Sequence, residues 1–161
     1  MNRVGIGYDI HRLKAGRKLV LGGVVIPFSK GLEGHSDADA LIHAVCDALL
    51  GAAGMGDIGE HFPDTDPAYK GISSKILLKK VAGFLKKKNF VIGNIDSVVV
   101  AQEPRIQPFK DAMERNMSLA LGIRRTSVCV KATTPEKLGP LGRSEGIACW
   151  ATALIKKGGA K

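Results

Sequence analysis

ADALIHAVCDALLGAA, residues 38–53, is the stretch on which the fold turns. It is rich in Ala and Leu and free of Pro, so it reads as a helix. Ser36 or Asp37 offers an oxygen to cap its start, and Gly54 supplies a stop. The segment carries no Lys, Arg or Glu, which predicts a helix packed on most sides. Its ionisable polar side chains, Asp39, His43 and Asp47, are spaced i, i+4, i+8 and share one face. A polar stripe in such surroundings needs partners, because buried charges are normally paired or bound to metal. Two readings of His43 follow: a core histidine bonded to one or both aspartates, or a ligand.

Working outward, RVGIGYDIH (3–11) has the pattern of a strand. Asp9 and His11, two apart, project from one face of it. With His43 they make a carboxylate and two imidazoles. Three protein ligands with a fourth position open is the pattern of a catalytic zinc site. Mn2+ and Co2+ suit the same ligands. The bare Asp-x-His pair equally suits a hydrogen bond at a strand end.

Residues 17–27 predict a hairpin turning at Gly22-Gly23, and 29–37 a mobile loop. Residues 54–71 are expected to be irregular, and 73–88 a second helix. In that helix Ile76, Leu77, Val81, Phe84 and Leu85 form the apolar face and the lysines point outward. A strand over 91–101, a break at Pro104, a helix over 109–121 and a strand over 127–132 follow. The last strand, IACWATALI (147–155), is apolar on both faces, which fits a sheet covered by helices on one side and by something else, such as another subunit, on the other. The expected fold is α+β: one domain over 1–161, a small mixed sheet with helices on one face.

The formal charge of +9 favours anionic partners, with much of the excess in 75–88 and 156–161. The chain lacks the aromatic interleaving of nucleic-acid stacking platforms, so no nucleic-acid partner is expected. No apolar run is long enough for a membrane span, and the first residues resemble neither a signal nor a transit segment; a cytoplasmic protein is the expectation. Cys46, Cys129 and Cys149 form no CxxC pair and are expected to be buried free thiols.

Two further clusters stand out. Lys131 to Glu136 ends a strand with two hydroxyls and a carboxylate, suited either to phosphate and Mg2+ or to an ordinary turn before Pro135. Asp57-Ile58-Gly59 and Phe62-Pro63-Asp64-Thr65-Asp66 read by themselves as turn chemistry. There is no GxxxxGK[ST] and no GxSxG.

GYDIH (7–11), HSDADALIHAVCDALLGAAG (35–54), GDIGEHFPDTDPAYKG (56–71) and KATTPEKLGPLGRSEGIAC (131–149), in this order, resemble the 2-C-methyl-D-erythritol 2,4-cyclodiphosphate synthase family over nearly the whole chain. The resemblance implies a homotrimer with active sites between neighbouring subunits, acting on a small nucleotide-diphosphate substrate. It implies Asp9, His11 and His43 as zinc ligands and Glu136 on a second cation, Mg2+ or Mn2+, at the substrate diphosphate. His35 and Ser36 would close over the phosphates, with His35 and Thr134 stabilising the transition state. Asp57, Ile58, Gly59, Phe62, Pro63, Asp64, Thr65 and Asp66 would line the methylerythritol phosphate pocket, and Asp9, Ile10, His11 and Pro135 would also bind substrate. Ala101, Gln102, Glu103, Pro104, Arg105, Ile106 and Gln107, with Ala132 and Thr133, would form the cytidine pocket. Arg143 is expected in a central channel, where Pro140 replaces an aromatic ring of some relatives; Arg105 stands where Lys is common.

Overall fold

The first strand sets the architecture. In β1 (Asn2–Ala15), Gly5, Gly7, Asp9, His11 and Leu13 face inward, while Val4, Ile6, Tyr8 and Ile10 are exposed on the other side. The structure, a computed structural model, describes residues 1–158, so the end of the basic tail at 159–161 lies outside the described residues. The chain continues through β2 (Leu19–Leu21), β3 (Val24–Ile26), β4 (Lys30–Leu32), α1 (Ala40–Ala53), α2 (Ile58–His61), α3 (Ser74–Lys87) and β5 (Phe90–Val100). It ends with α4 (Lys110–Leu121), β6 (Val128–Thr133), α5 (Gly139–Gly142) and β7 (Gly146–Lys157). Five strands form a mixed sheet in the order β4-β1-β7-β5-β6, parallel only between β5 and β6; β2 and β3 pair separately. This is the expected α+β arrangement.

Helix α1 lies against β1 and β7, with α3 beside it and α4 beyond. Its approach to β1 depends on missing side chains. A Cβ on Gly7 would stand 1.9 Å from the Ala44 carbonyl oxygen, and one on Gly5 would stand 2.0 Å from that of Ala48. Glycine against alanine therefore brings the helix unusually close to the strand, and the close approach carries His43 to the level of Asp9.

Several expectations need correction. The cap of α1 is Asp39, not Ser36 or Asp37: its carboxylate accepts from Ile42 N–H at 3.0 Å. The same carboxylate accepts from Gly22 and Gly23 at 2.9 and 2.6 Å, tying the hairpin turn to the helix start. The stop at Gly54 holds, with φ 68°. The loop over 29–37 contains strand β4, paired to Leu13–Ala15; three residues are too few to show an alternation. The stretch 54–71 contains α2, capped by Asp57, and a 3-10 turn at Pro67–Tyr69, capped by Asp66. In α3, Ile76 of the expected apolar face is exposed, and Leu78, which that face did not include, is buried. Cys46 and Cys149 are buried as expected, but Cys129 is exposed.

Candidate active site

The polar stripe of α1 finds three separate partners. Asp39 turns to the hairpin, and Asp47 accepts from Ile58 N–H at 2.7 Å, anchoring the start of α2. Burial pushes the Asp47 carboxyl up, with the Asp57 and Asp9 charges adding to it, while Ile58 N–H and His43 pull the other way. His43 meets neither Asp39 nor Asp47; its Nδ1 lies 3.2 Å from Asp9 Oδ2, so the pairing with its helix neighbours is not what the fold makes.

Asp9, His11 and His43 converge. His11 Nε2 lies 2.9 Å from Asp9 Oδ2, and one ligand atom from each residue falls within 4.8 Å of the others. Asp9 Oδ2 and His11 Nε2 are buried, yet neither is aligned for a hydrogen bond. Burial pushes the Asp9 carboxyl up, but the two imidazoles outweigh it and hold it well below the usual carboxylate range. Burial lowers His43, and the Asp9 carboxylate, aided by the charges of Asp39 and Asp37, more than reverses this. The pocket thus favours positive charge among three converging groups, and a divalent cation supplies it with the donor set these atoms offer. The residues fit a divalent metal.

Beside the triad opens a cavity of about 260 Å³, lined by His11, His35, Ser36, His43, Ile58, Phe62, Asp64 and Tyr69 among others. Of the expected methylerythritol group, Ile58, Phe62 and Asp64 line it; Asp57 and Asp66 are engaged as helix caps, Pro63 and Thr65 are exposed, and Gly59 lies within α2. The Ile10 side chain points to the opposite face of the sheet, so only its backbone, whose N–H bonds Asp9 Oδ1 at 2.9 Å, adjoins this site.

A second cavity, about 540 Å³, is lined by Ala101, Gln102, Glu103, Pro104, Arg105, Ile106, Gln107, Ala132, Thr133 and Thr134. Beside it Thr134 Oγ1 donates to Glu136, whose backbone is left-handed at φ 53°, and Pro135 O accepts from Leu138 N–H at 2.9 Å. The two cavities do not merge. Asp9, Cys149, Val99 and Ala132 occupy one row across β1, β7, β5 and β6, which separates the clusters by three strand spacings, roughly 14 Å. Cys149 and Val99 are fully buried in that row and fill the interval. Arg143 stands apart from both, bonded to Glu145 beside Arg12 and Lys30.

Sequence reasoning missed Asp37 and Ser74, which stand behind His43, and Tyr69, Ile72 and Leu77 in the cavity wall. Thirty-seven residues separate Asp37 from Ser74. The paired serines at 73 and 74, opening the second helix, were the available signal.

Comparison with known proteins gives the same outline. The YgbB family matches residues 2–156. The chain belongs to the YgbB family. Among members of that family, the chain is 60% identical over 153 residues to 2-C-methyl-D-erythritol 2,4-cyclodiphosphate synthase of Desulfosudis oleivorans, covering 95% of this chain and 91% of that one. It is 60% identical over 157 residues to the enzyme of the same name from Pelotomaculum thermopropionicum, covering 98% and 97%. Among solved structures, the bifunctional IspDF of Campylobacter jejuni superposes with a TM-score of 0.94 at 43% identity; the alignment covers 98% of this YgbB-family chain and 42% of that protein. IspF of Plasmodium falciparum in a CDP complex superposes with a TM-score of 0.86 at 37% identity, covering 98% and 97%.

Proposed function

We propose that this chain converts 4-diphosphocytidyl-2-C-methyl-D-erythritol 2-phosphate into 2-C-methyl-D-erythritol 2,4-cyclodiphosphate with release of CMP, in non-mevalonate isoprenoid precursor biosynthesis. It is a phosphorus–oxygen lyase. The observation that carries this reading is the convergence of Asp9, His11 and His43 on the wall of a cavity bounded by His35 and Ser36. The names of the relatives, one of them in a CDP complex, point the same way.

An oxygen of the 2-phosphate attacks the β-phosphorus; the bond to the bridging oxygen breaks, and the electron pair leaves with CMP. No water or redox partner enters. The attacking phosphate is already anionic, so no strong base is required, and the difficulty is bringing anion onto anion. His35 and Ser36 hold phosphate oxygens, and His35 and Thr134 stabilise the transition state. Ile58, Phe62 and Asp64 shape the end of the cavity for the branched tetrol and exclude water from it. Asp9, His11 and His43 would hold a divalent ion such as zinc, and Glu136 would hold a second, Mg2+ or Mn2+. Bound there, the cations supply charge neutralisation and alignment to the phosphoryl groups.

The backbone-lined cavity at 101–107 receives the cytidine. Because buried core separates it from the zinc ligands within one chain, a neighbouring copy supplies it to each site, in a homotrimer. The exposed apolar sheet face of Val4, Ile6, Tyr8 and Ile10, with the Trp150 ring tilted against Tyr8 at 4.6 Å between centroids, is the surface such a neighbour covers. Among the described residues no helix is long and apolar enough to cross a membrane, and a cytoplasmic setting suits the phosphorylated substrate.

Incubation with the substrate and Mg2+, followed by ³¹P NMR, is expected to give the cyclic diphosphate and CMP, with no product after chelation. A linear product carrying solvent ¹⁸O would overturn the reading in favour of hydrolysis.

A further inference from the structure

Two hydroxyls approach the face of His43 that points away from Asp9. Nε2 lies 3.0 Å from Ser74 Oγ and 3.3 Å from Ser36 Oγ. Ser74 is fully buried at the first turn of α3. Its hydroxyl donates to Asp37 Oδ1, and its backbone N–H donates to Asp37 Oδ2 at 2.9 Å. Asp37 thus grips one residue through both carboxylate oxygens and fixes the direction of its O–H. With that proton committed to Asp37, Ser74 Oγ turns a lone pair to His43. Ser36 Oγ is farther away and already accepts from Ala38 N–H at 3.2 Å.

The consequence concerns the tautomer. An imidazole facing an acceptor through Nε2 carries its proton there, which leaves the Nδ1 lone pair free on the Asp9 side. Outer partners of this kind orient metal-bound histidines and raise their basicity. We propose that Asp37 and Ser74 form a positioning relay, Asp37 to Ser74 to His43, that sets His43 as an Nδ1 ligand. It rests on the reading of Asp9, His11 and His43 as a divalent-metal site. The relay also explains a feature of the fold: α3 starts where it does, with Ser74 rather than Ser73 buried, because Asp37 pins that turn against the α1 entrance.

The test is Co2+ and Zn2+ affinity of the full chain, measured by competition with a chromophoric chelator, together with the visible spectrum of the cobalt form. Thermal unfolding of the metal-free proteins runs alongside. Ser74→Ala is expected to weaken metal binding about 10–100-fold and to alter the cobalt spectrum. Ser36→Ala is expected to leave both unchanged. Wild-type affinity and spectrum in Ser74→Ala would overturn the relay. Where Ser74→Ala does not fold, Ser74→Thr against Asp37→Asn decides: the threonine keeps the hydroxyl and binds metal as the parent does, whereas the asparagine weakens binding. Equal losses in the two overturn the relay. His43→Ala separates this failure from that of the site itself. If the parent binds cobalt no better than His43→Ala, the metal site is wrong; if the parent binds and Ser74→Ala matches it, only the relay is.

Discussion

At the start of α1, the Asp39 carboxylate is wholly buried and accepts three backbone N–H groups, from Gly22, Gly23 and Ile42. One turn further on, the same face of the helix brings His43 to Asp9, and there a carboxylate meets two titratable rings instead. The partners decide what each acid does. Burial pushes the Asp39 carboxyl up while the three N–H groups pull it down, and nothing about that closed arrangement admits a ligand. Burial pushes the Asp9 carboxyl up and the two imidazoles hold it low, and the three groups together offer converging ligand atoms to a cation. A closed cap builds the fold, and the open cluster one helical turn further on offers its ligand atoms to a cation.

The largest expected break in this comparison comes from Asp9→Asn. CMP release should fall on the order of 10³-fold, beyond the roughly 10–100-fold cost of losing an outer partner of a ligand. Bound zinc should fall with it, and urea midpoints of the metal-free proteins, measured alongside, separate this loss from the smaller stability cost of removing the carboxylate between His11 and His43. Full activity in a variant shown by elemental analysis to lack zinc would sink the assignment.

Asp39→Ala should give the reverse profile. Loss of the cap at Ile42 costs about 1 kcal/mol, and the N–H groups of Gly22 and Gly23 left unpaired cost about 1–3 kcal/mol each, so urea denaturation should show a loss of about 3–7 kcal/mol. The molecules that remain folded should still bind metal.

Gly7→Ala joins the two regions, since its Cβ would collide with the Ala44 carbonyl and push α1 from β1. A stability loss of about 1–3 kcal/mol is expected, with weaker metal binding as His43 retreats from Asp9. Unchanged metal affinity would show that the helix–strand approach does not set the ligand spacing.

The smallest effect is at Asp47. Its carboxyl is raised in the fold, so its contribution to stability is complete below the unfolded value, about pH 4, and is lost as pH rises through the folded value. Asp47→Asn should flatten the fall in stability with rising pH across that window, measured by urea midpoints, and a slope identical to the parent would remove Asp47 from the account.

Much of this was legible in the chain. Alternation in RVGIGYDIH and the Ala/Leu composition of 38–53 announced a strand and a helix, because both follow from local periodicity. The Gly22-Gly23 turn and the stop at Gly54 followed from backbone freedom at φ 57°, 71° and 68°. Strand β4 and the short α2 were not legible, since each is held by distant groups, the edge of β1 in one case and Asp47 in the other.

By itself, then, the sequence determined the elements, the Asp9/His11 pair on one strand face and the polar stripe on the helix, all of which depend on residues a few positions apart. Tertiary structure alone decided which member of that stripe met which partner. Asp39 went to the hairpin, Asp47 to α2 and His43 to Asp9 and Ser74 because glycines on β1 let the helix settle at one depth, and side-chain reach of a few ångströms then admits a single set of neighbours.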